Sequence, residues 1–374
     1  MNALIAESMC PITEPYLLIV CVPLEIDEQG NRWTNDLWAK DLALHLEYLD
    51  NLTLASPTRR RKPGDDLVPL NQPLFDRLKF VDLPLPSSRL EALMSLPREV
   101  RQLWRAIGQA RIVHTGFGGW PINEGWLATP IAKIRRRFLL TNVESSSWRA
   151  TGPGVSAHKQ LRSFLSECLT RFCVRIADLR LFTSKAYLSQ FLPPQAPRAY
   201  VIPATWIEED WILEEQEAVA AWTAKEGPTQ LLFAGRLIPD KGVNVLLAAI
   251  QSVAAAGAEV HISIIGSGEL REQCVKVALS VIDRVRLNVL VPMPYGRPFL
   301  AFLRGFDAVV VPSISDEQPR ILFDAFSQAV PVIGSATGGI CEVVQSELTG
   351  RVVRPNDVSC LAEALIWASH NRPN

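Results

Sequence analysis

The sequence has 374 residues, of which 48% are hydrophobic and 21% charged, and its formal net charge is −1 at pH 7. This length allows two domains with separate cores, and the near-zero charge argues against nucleic acid as a partner because no overall positive field attracts it. The seven cysteines are dispersed without a C-x-x-C pair, which is typical of reduced thiols in a cytosol and argues against a zinc site or a disulfide framework.

The apolar segments of the sequence are short. The first residues contain no basic stretch followed by a long apolar one, so we expect no signal peptide. No apolar run reaches the roughly 18 residues that cross a bilayer. The sequence therefore predicts a cytoplasmic protein that touches a membrane, if at all, only peripherally at the inner face.

The first half alternates apolar runs with helical patterns, which predicts a parallel sheet. The predicted strands are Tyr16–Pro23, Asn51–Ala55, Ala110–His114, Phe138–Val143, Asp178–Ser184 and Ala199–Pro203. Trp33–Leu46 has apolar residues at helical spacing and follows a polar loop that contains Gly30. Because ligands bind beyond the carboxyl ends of parallel strands, Gly30, His114 and Glu144 are the candidate site residues of this half.

Two of these candidates have a second interpretation. His114 precedes a glycine-containing turn at which a backbone can approach a ligand, or it is a histidine that hydrogen-bonds within the protein. Glu144 follows Phe138–Val143, and it either faces a ligand or is a solvated or ion-paired carboxylate. Both alternatives remain open from the sequence alone.

Basic residues form three groups in this half. One is a consecutive run in a predicted loop, one recurs at helical spacing beside Trp104, and one precedes the strand Phe138–Val143. Their members are Arg59, Arg60, Arg61, Lys62, Arg98, Arg101, Arg105, Lys133, Arg135, Arg136 and Arg137. They form either a solvated surface or a surface that attracts anionic lipid or a phosphorylated acceptor.

An acidic segment separates the two halves. Ile207–Glu217 holds six acidic residues and is followed by an alanine-rich segment that ends at Gly227 and Pro228. This pattern predicts an exposed helix and linker. We therefore predict one domain over residues 1–203, a linker over 204–228 and a second domain over 229–374.

The second half alternates regularly and predicts another doubly wound domain. The predicted strands are Gln230–Ala234, Glu259–Ile265, Val285–Val291, Asp307–Pro312, Pro331–Ile333 and Arg351–Val353, and helices are predicted over Val243–Ala256, from Glu269, from Pro319 and over Val358–Ser369. Gly338 and Gly339 are predicted to lie in a loop.

The stretch from Pro312 to Gly339 carries the clearest functional signal. Asp316 precedes the helix that Pro319 is predicted to start, and Asp324 lies inside it. Free amides at a helix start suit a phosphate, and a carboxylate further along can accept hydrogen bonds from a ribose diol. The stretch therefore predicts a site for a sugar attached to a nucleoside diphosphate.

Two cations follow the first strand of this half. Arg236 and Lys241 share the loop before Val243–Ala256, where they can neutralise a diphosphate leaving group as its charge develops. Gly266 begins a Gly-Ser-Gly turn after the next strand. That turn lacks the full G-x-G-x-x-G pattern and is weak evidence for a dinucleotide.

Taken together, these motifs resemble the retaining glycosyltransferases of family 4, which have two Rossmann-like domains facing across a cleft, the GT-B fold. The shared segments, across Leu231–Pro355, are FAGRLIPDKG, IIGSGEL, VVVPSISDEQPRILFDAFSQAVPVIGS, TGGICEVV and LTGRVVRPND. The resemblance implies transfer of a sugar, with retained configuration, from a nucleotide sugar on the second domain to a hydroxyl acceptor on the first. It implies that the reaction needs no metal ion and no other cofactor. It also implies that the acceptor is a saccharide or a lipid-linked molecule.

The resemblance also implies residue roles. Arg236 and Lys241 match the pair that holds the diphosphate, and Asp324 matches a glutamate that binds the ribose. Asp316, or Glu317 in its place, matches the glutamate that lies against the donor sugar, which His114 or Glu144 would contact from the first domain. Donor contacts are further implied for Gly235, Gly266, Pro292, Met293, Gln318, Pro319, Arg320, Ile321 and Leu322.

The sequence departs from the family pattern in several ways, which include Cys341 in place of a proline after Gly338 and Gly339, and TNVES where a threonine-any-histidine sequence is usual. Both family glutamates are aspartates here, about 1.5 Å shorter in reach, so the backbone or the ligand must come closer. Family members usually continue with a helix that crosses back to the first domain, and this sequence ends soon after Val358–Ser369. The alternatives are a nucleotide-sugar epimerase or hydrolase of the same fold, or a non-catalytic nucleotide-sugar-binding protein.

Overall fold

The computed structural model describes residues 11–62, 67–119, 122–146, 148–149, 156–280, 285–314 and 318–371. The chain divides into two units. One comprises Met1–Thr183 and Leu188–Ile202, and the other comprises Ser184–Tyr187 and Pro203–Asn374. Each unit is built on its own sheet.

The described part of the first unit contains ten strands and most of five helices. The strands are β1 (Tyr16–Ile19), β2 (Leu24–Ile26), β3 (Arg32–Thr34), β4 (Leu52–Arg60), β5 (Val68–Pro69), β6 (Lys79–Leu83), β7 (Ile112–Gly116), β8 (Phe138–Val143), β9 (Leu179–Phe182) and β10 (Ala199–Val201). The helices are α1 (Asp36–Tyr48), α2 (Arg89–Gln109), α3 (Glu124–Ile134), α4 (Ala157–Ile176) and α5 (Lys185–Phe191).

The strand order of this sheet is β10-β9-β8-β7-β1-β4-β2-β3-β5, with β6 also paired to β4. The central strands are parallel, as predicted. On β1, Leu17 and Ile19 join the core beneath α2 and α3, while Tyr16 and Leu18 join the core beneath α1. The continuous apolar run of β1 is therefore explained by burial on both faces.

The second unit contains a six-stranded parallel sheet and seven helices in its described part. The strands are β11 (Thr229–Ala234), β12 (Val260–Ile265), β13 (Val285–Leu290), β14 (Ala308–Val311), β15 (Val332–Ser335) and β16 (Gly350–Val353). The helices are α6 (Glu215–Thr223), α7 (Val243–Ala255), α8 (Arg271–Ser280), α9 (Arg297–Arg304), α10 (Ile321–Ser327), α11 (Gly338–Cys341) and α12 (Val358–His370).

The strand order of the second sheet is β13-β12-β11-β14-β15-β16. Successive strands are added on one side of β11 as far as β13, and the chain then returns to the other side of β11 with β14. The loops that follow β11 and β14 therefore run to opposite faces of the sheet and leave a crevice at its carboxyl edge. This confirms the predicted doubly wound topology and locates the place where a ligand is expected.

The structure corrects several boundaries in the first unit. The predicted loop 25–31 is a hairpin of the antiparallel strands β2 and β3, and Gly30 lies in its turn, where its amide donates to the Asp27 carbonyl at 3.1 Å. Trp33 lies on β3, and α1 begins at Asp36 after the N-cap Asn35. These strands escaped prediction because each has only three residues.

The first basic run was predicted in a loop, and this prediction is wrong for Arg59 and Arg60. Pairing with β2 extends β4 as far as Arg60, so both residues lie on a strand. The Arg59 guanidinium donates to the buried carboxylate of Glu25 at 2.8 Å. This arginine is therefore held by an internal ion pair.

The segment predicted as a linker packs on the second unit. The Leu213 amide donates to the Ser327 carbonyl at 3.0 Å, and the Gln328 side chain donates to the Trp211 carbonyl at 2.8 Å. Trp211 and Tyr295 have ring centroids 6.2 Å apart. The six acidic residues concealed this packing, because apolar contacts of single aromatic side chains carry no periodic signal.

The loop that carries Lys241 depends on a glycine. Gly242 has a φ of +72°, and an added Cβ would lie 1.8 Å from the carbonyl oxygen of Pro312, at the end of β14. We expect Gly242→Ala to lower the free energy of unfolding by about 2 to 4 kcal/mol, through backbone strain and this clash. Urea unfolding measures the change.

Gly257→Ala is the matched control for this prediction. Gly257 has the same φ of +72°, but nothing lies within 4 Å of an added Cβ. Its substitution is expected to cost about 1 kcal/mol from strain alone. Equal losses in the two variants would show that the approach to Pro312 contributes nothing.

Candidate functional site

A cavity of about 280 Å³ lies at the crevice between the ends of β11 and β14. It is lined by Trp206, Ala234, Gly235, Arg236, Ile265, Gly266, Ser267, Pro292, Met293, Tyr295, Phe299, Arg320, Ile321 and Asp324. Arg236 follows β11 and Asp324 lies on α10, which follows β14. The topology therefore brings together a cation and a carboxylate that are 88 positions apart in the sequence.

A larger hollow of about 470 Å³ lies elsewhere on this unit. It is formed at the start of β11 by residues that include Pro228, Thr229 and Glu259. Ligands of parallel sheets bind at the carboxyl ends of strands, so this position at an amino end does not favour a functional site.

Asp324 is the buried acid of the cavity. Its side chain is on α10, and the residue is only 4% exposed. Burial raises the pKa of Asp324 to about 6, although the hydrogen bond from Tyr295 and the charge of Arg320 act in the opposite direction. The carboxylate is therefore mostly ionised at neutral pH and becomes protonated in mildly acidic solution.

Tyr295 is the hydrogen-bonding partner of Asp324. Its hydroxyl donates to Oδ1 of Asp324 at 2.7 Å. Burial, followed by the negative charge of Asp324, raises the pKa of Tyr295, so its hydroxyl keeps its proton and remains a donor. Tyr295 thus orients the carboxylate and leaves Oδ2 for a ligand.

Tyr295→Phe is expected to raise the pKa of Asp324 further above about 6. The reason is that the lost hydrogen bond stabilises the ionised carboxylate. A carbon-13 NMR titration of the labelled aspartate carboxyl groups measures the change. Tyr200→Phe, at a half-exposed tyrosine of the first unit, is the control, and an unchanged Asp324 titration in Tyr295→Phe would contradict the assigned hydrogen bond.

Aromatic side chains support this pair, and the sequence interpretation missed them. The rings of Trp206 and Phe299 have centroids 5.7 and 6.0 Å from that of Tyr295. The guanidinium of Arg320 lies 3.7 Å from the ring centroid of Trp206, a cation–π contact. Trp206 directly precedes the acidic segment, and Tyr295 lies two residues after Met293, one of the predicted donor contacts. An aromatic residue without a periodic apolar pattern around it was the signal available.

Two guanidinium groups, from Arg236 and Arg320, line the cavity. Lys241 was predicted to be the second cation with Arg236, but it is not in the lining, as far as the described residues show. It ends a short 3-10 turn (Pro239–Lys241), and the neighbouring Asp240 carbonyl accepts from the amide of Ile314 at 3.0 Å. Lys241 is therefore in the loop next to the end of β14, and its contact with a diphosphate stays a prediction.

Gly266 lies in the cavity lining for a structural reason. An added Cβ would lie 1.9 Å from the carbonyl oxygen of Gly235, so the loops after β11 and β12 meet backbone to backbone. The glycine is required by this approach within the protein. Pro292 and Met293 follow β13 and line the same cavity, next to Ser267.

The start of α10 differs in part from the prediction. The helix begins at Ile321, and the Leu322 amide already donates to the Pro319 carbonyl at 3.1 Å. Leu322 is fully buried in the core, and the Gln318 side chain donates to the Gly339 carbonyl at 3.3 Å. The Leu322 amide is therefore unavailable to a phosphate in this structure, while Ile321 lines the cavity.

Three other predictions concern this stretch. Asp316 and Glu317 lie outside the described residues, so their roles stay predictions. Gly338 and Gly339, predicted in a loop, begin the short helix α11. Short helical turns such as this one have no apolar periodicity from which to predict them.

In the first unit, His114 lies within a strand and not at its end. β7 runs from Ile112 to Gly116 because its residues pair with both β1 and β8. Nδ1 of His114 is 3.0 Å from the Tyr16 hydroxyl, and burial, with a smaller effect of His45, lowers the pKa of His114 to about 3. The imidazole is therefore neutral at physiological pH, as in a packed histidine.

Glu144 follows β8, and its carboxylate accepts from the Asn142 side chain at 2.7 Å. Its contact with a donor sugar, like the acceptor-side role of Gly30, stays a prediction. Within the described ranges, no three His, Cys, Asp or Glu side chains are placed to hold a metal ion. No helix in those ranges is both long and apolar enough to cross a membrane.

Comparison with known proteins shows which family the second half of the chain is similar to. Residues 214–374 match the family described as glycosyl transferases group 1. The chain is 31% identical over 147 residues to a glycogen synthase of Mycobacterium tuberculosis, a match that covers 39% of this chain and 35% of that protein. The chain thus spans about a third of the length of this curated relative.

Solved structures match over almost the whole chain. A sucrose-phosphate synthase from Thermosynechococcus elongatus has a TM-score of 0.64 at 20% identity, covering 94% of this chain and 88% of that one. HepE of Anabaena, in complex with UDP-glucose, has a TM-score of 0.59 at 16% identity, covering 95% and 93%. The predicted fold class is thereby confirmed. Residues 214–374 are thus similar to the glycosyl transferases group 1 family, and the chain has the GT-B fold.

Proposed function

We propose that this chain is a retaining glycosyltransferase that moves a sugar from a nucleoside diphosphate to a hydroxyl group of an acceptor without a metal ion. The observation that carries the proposal is the shared cavity of Arg236 and Asp324 at the carboxyl edge of the second sheet. A cation suited to a diphosphate and an acid suited to a ribose diol lie there within the reach of one ligand.

The donor would lie in this cavity with its base near Pro292 and Met293. Arg236 would bind the diphosphate, and the free oxygen of Asp324 would accept from a ribose hydroxyl. In the reaction the bond between the anomeric carbon and the phosphate oxygen breaks, and a bond to the acceptor oxygen forms on the same face of the sugar. The acceptor proton passes to the departing phosphate, whose negative charge the cations stabilise.

The solved relative HepE binds UDP-glucose, which makes UDP-sugars the first donors to test. Other similar proteins are named for glycogen synthesis and for colanic acid biosynthesis. These names support a saccharide acceptor. We infer that the acceptor binds the first unit and is a lipid-linked or cell-surface saccharide precursor, encountered on the cytoplasmic side of a membrane.

A thermal-shift screen of nucleotide sugars, followed by turnover assays, tests the proposal. The correct donor raises the melting temperature because it binds only the folded state. Donor consumption is then measured with and without saccharide acceptors. Consumption that requires an acceptor supports transfer, whereas rapid consumption of donor alone would indicate an epimerase or hydrolase. Binding without consumption under any condition would indicate a binding protein.

A further inference from the structure

The large apolar side chains of helix α4 in the first unit lie on its solvent-exposed face, whereas those of most packed helices face the core. Its buried positions are Ser166, Thr170, Cys173 and Val174, three of which are small or polar. The helix is anchored to α3 by a hydrogen bond of 3.0 Å from the Trp126 indole to the Thr170 hydroxyl. A surface helix normally turns its apolar stripe toward the core.

The opposite face of α4 is a stripe of large apolar side chains that are 39 to 63% exposed. Its members, here called the α4 stripe, are Leu161, Phe164, Leu165, Leu169 and Phe172. Their spacing of three and four residues places them on one face of the helix. Contiguous exposed apolar surface of this kind marks a place of contact with another body.

Positive charge borders the α4 stripe. By the helical repeat, Arg162 and Arg171 lie on opposite sides of it, and Arg175 lies near its end. The one acidic residue of the helix, Glu167, accepts from Arg149 at 2.8 Å and lies 3.0 Å from Arg171. An apolar face bordered by arginines is the arrangement of helices that lie in the interface of an anionic bilayer.

The basic groups seen in the sequence do not by themselves identify such a surface. Lys133 forms an ion pair with Asp178 at 2.9 Å, and the Arg61 guanidinium lies 3.2 Å from the ring centroid of Trp33. These cations are engaged within the protein. The α4 stripe differs because it combines exposed apolar area with bordering charge.

We propose that α4 is a membrane-binding surface that inserts Phe164, Leu165 and Phe172 among the acyl chains of an anionic lipid layer. A second copy of this chain is disfavoured as the occupant, because two faces that each border on arginines would repel one another. This inference goes beyond the proposed function, since binding to lipid needs neither donor nor turnover. Its failure and the failure of glycosyl transfer are therefore distinguishable.

Co-sedimentation of the full chain with vesicles tests the proposal. Vesicles of phosphatidylglycerol and phosphatidylcholine in equal parts are compared with phosphatidylcholine alone. We expect binding to the anionic vesicles, weakened by salt, and at least about tenfold weaker binding for the double variant Phe164→Gln and Leu165→Gln. Both side chains are exposed, so the variant should keep the melting temperature of the parent.

Leu279→Gln is the matched control. Leu279 is 79% exposed on α8 of the second unit, and its substitution should leave vesicle binding unchanged. Equal binding of the double variant and the parent would overturn the proposal, as would equal losses in the double variant and the control. A dimer in light scattering that the double variant dissociates, without vesicle binding by the parent, would assign the surface to self-association instead.

A thiol within the α4 stripe permits a direct readout. Cys168 is exposed on the same face, and a polarity-sensitive fluorophore can be attached to it after Cys10, Cys21, Cys341 and Cys360 are changed to serine. Insertion should shift the emission to the blue with anionic vesicles and not with phosphatidylcholine alone. An emission unchanged by anionic vesicles would overturn the proposal even if the protein sediments with them.

Discussion

Arg236→Ala is expected to lower kcat/KM for glycosyl transfer by about 100-fold or more. Its guanidinium lines the cavity, where it would bind the diphosphate and neutralise the charge that develops as the sugar departs. Removal of one such preorganised group typically costs two to three powers of ten, because no water can replace it at low cost. Steady-state kinetics with the donor found in the thermal-shift screen measures the effect.

Arg286→Ala is the control for this substitution. Arg286 is an exposed arginine on β13 of the same unit, outside the cavity lining, and its loss should leave kcat/KM within twofold or so. A decrease of less than about tenfold in Arg236→Ala, or roughly 1.4 kcal/mol, would refute the assignment. The same assay of Lys241→Ala and Arg320→Ala decides which of these residues supplies the second positive charge.

Asp324→Asn is expected to weaken nucleotide binding while it stabilises the unliganded protein. Loss of the carboxylate removes an ionised acceptor for the ribose, so the affinity for UDP should fall by about 10- to 100-fold at neutral pH. The free energy of unfolding should rise by on the order of 1 to 3 kcal/mol above pH 7, because a buried charge is no longer required. Calorimetric titration with UDP and urea unfolding measure the two effects.

The increase in the free energy of unfolding that Asp324→Asn is expected to cause should be larger at neutral pH than in acidic solution. The folded-state pKa of Asp324 is about 6, above the ordinary aspartate pKa of 3.8, so protonation favours the folded protein. The stability from protonated Asp324 is fully present below pH 3.8 and is lost as the pH rises through about 6. The difference in the free energy of unfolding between Asp324→Asn and the parent should therefore decrease below about pH 6 and disappear near pH 4.

Asp307→Asn is the control for nucleotide binding. Asp307 is a buried carboxylate just before β14 that accepts from the Gln230 amide at 2.7 Å, and it is outside the cavity lining. Its substitution should leave the affinity for UDP unchanged. An unaltered affinity in Asp324→Asn, or a stability difference that does not vary with pH, would contradict the environment assigned to Asp324.

Much of the second unit could be predicted from its sequence, because its strands are rich in apolar residues and each connection between them contains a helix. Arg236 and Asp324 could be identified as partners for one reason: residues after successive parallel strands collect at one edge of the sheet. The shared cavity agrees with that expectation. No comparable rule predicts the hydrogen bond between Tyr295 and Asp324, since this contact depends on how α9 and α10 pack against each other.

The first unit shows the limit of the same reasoning. The end of β7 was placed two residues early, at His114, because the pairing of Thr115 and Gly116 with neighbouring strands is non-local. The short strands β2 and β3 and the extension of β4 were missed for the same reason. The inverted packing of α4 was also missed, because periodicity alone does not say which face of an amphipathic helix is covered.

The burial of Asp324 has a consequence for how this cavity takes up a nucleotide in acidified surroundings, because burial raises the pKa of its carboxyl group. Near pH 6 about half of the molecules carry a proton on Asp324. A ribose that needs the bare carboxylate must expel that proton on entry, so uptake and deprotonation become a single event. Occupancy of the cavity at a fixed nucleotide concentration would then fall as the medium becomes more acidic.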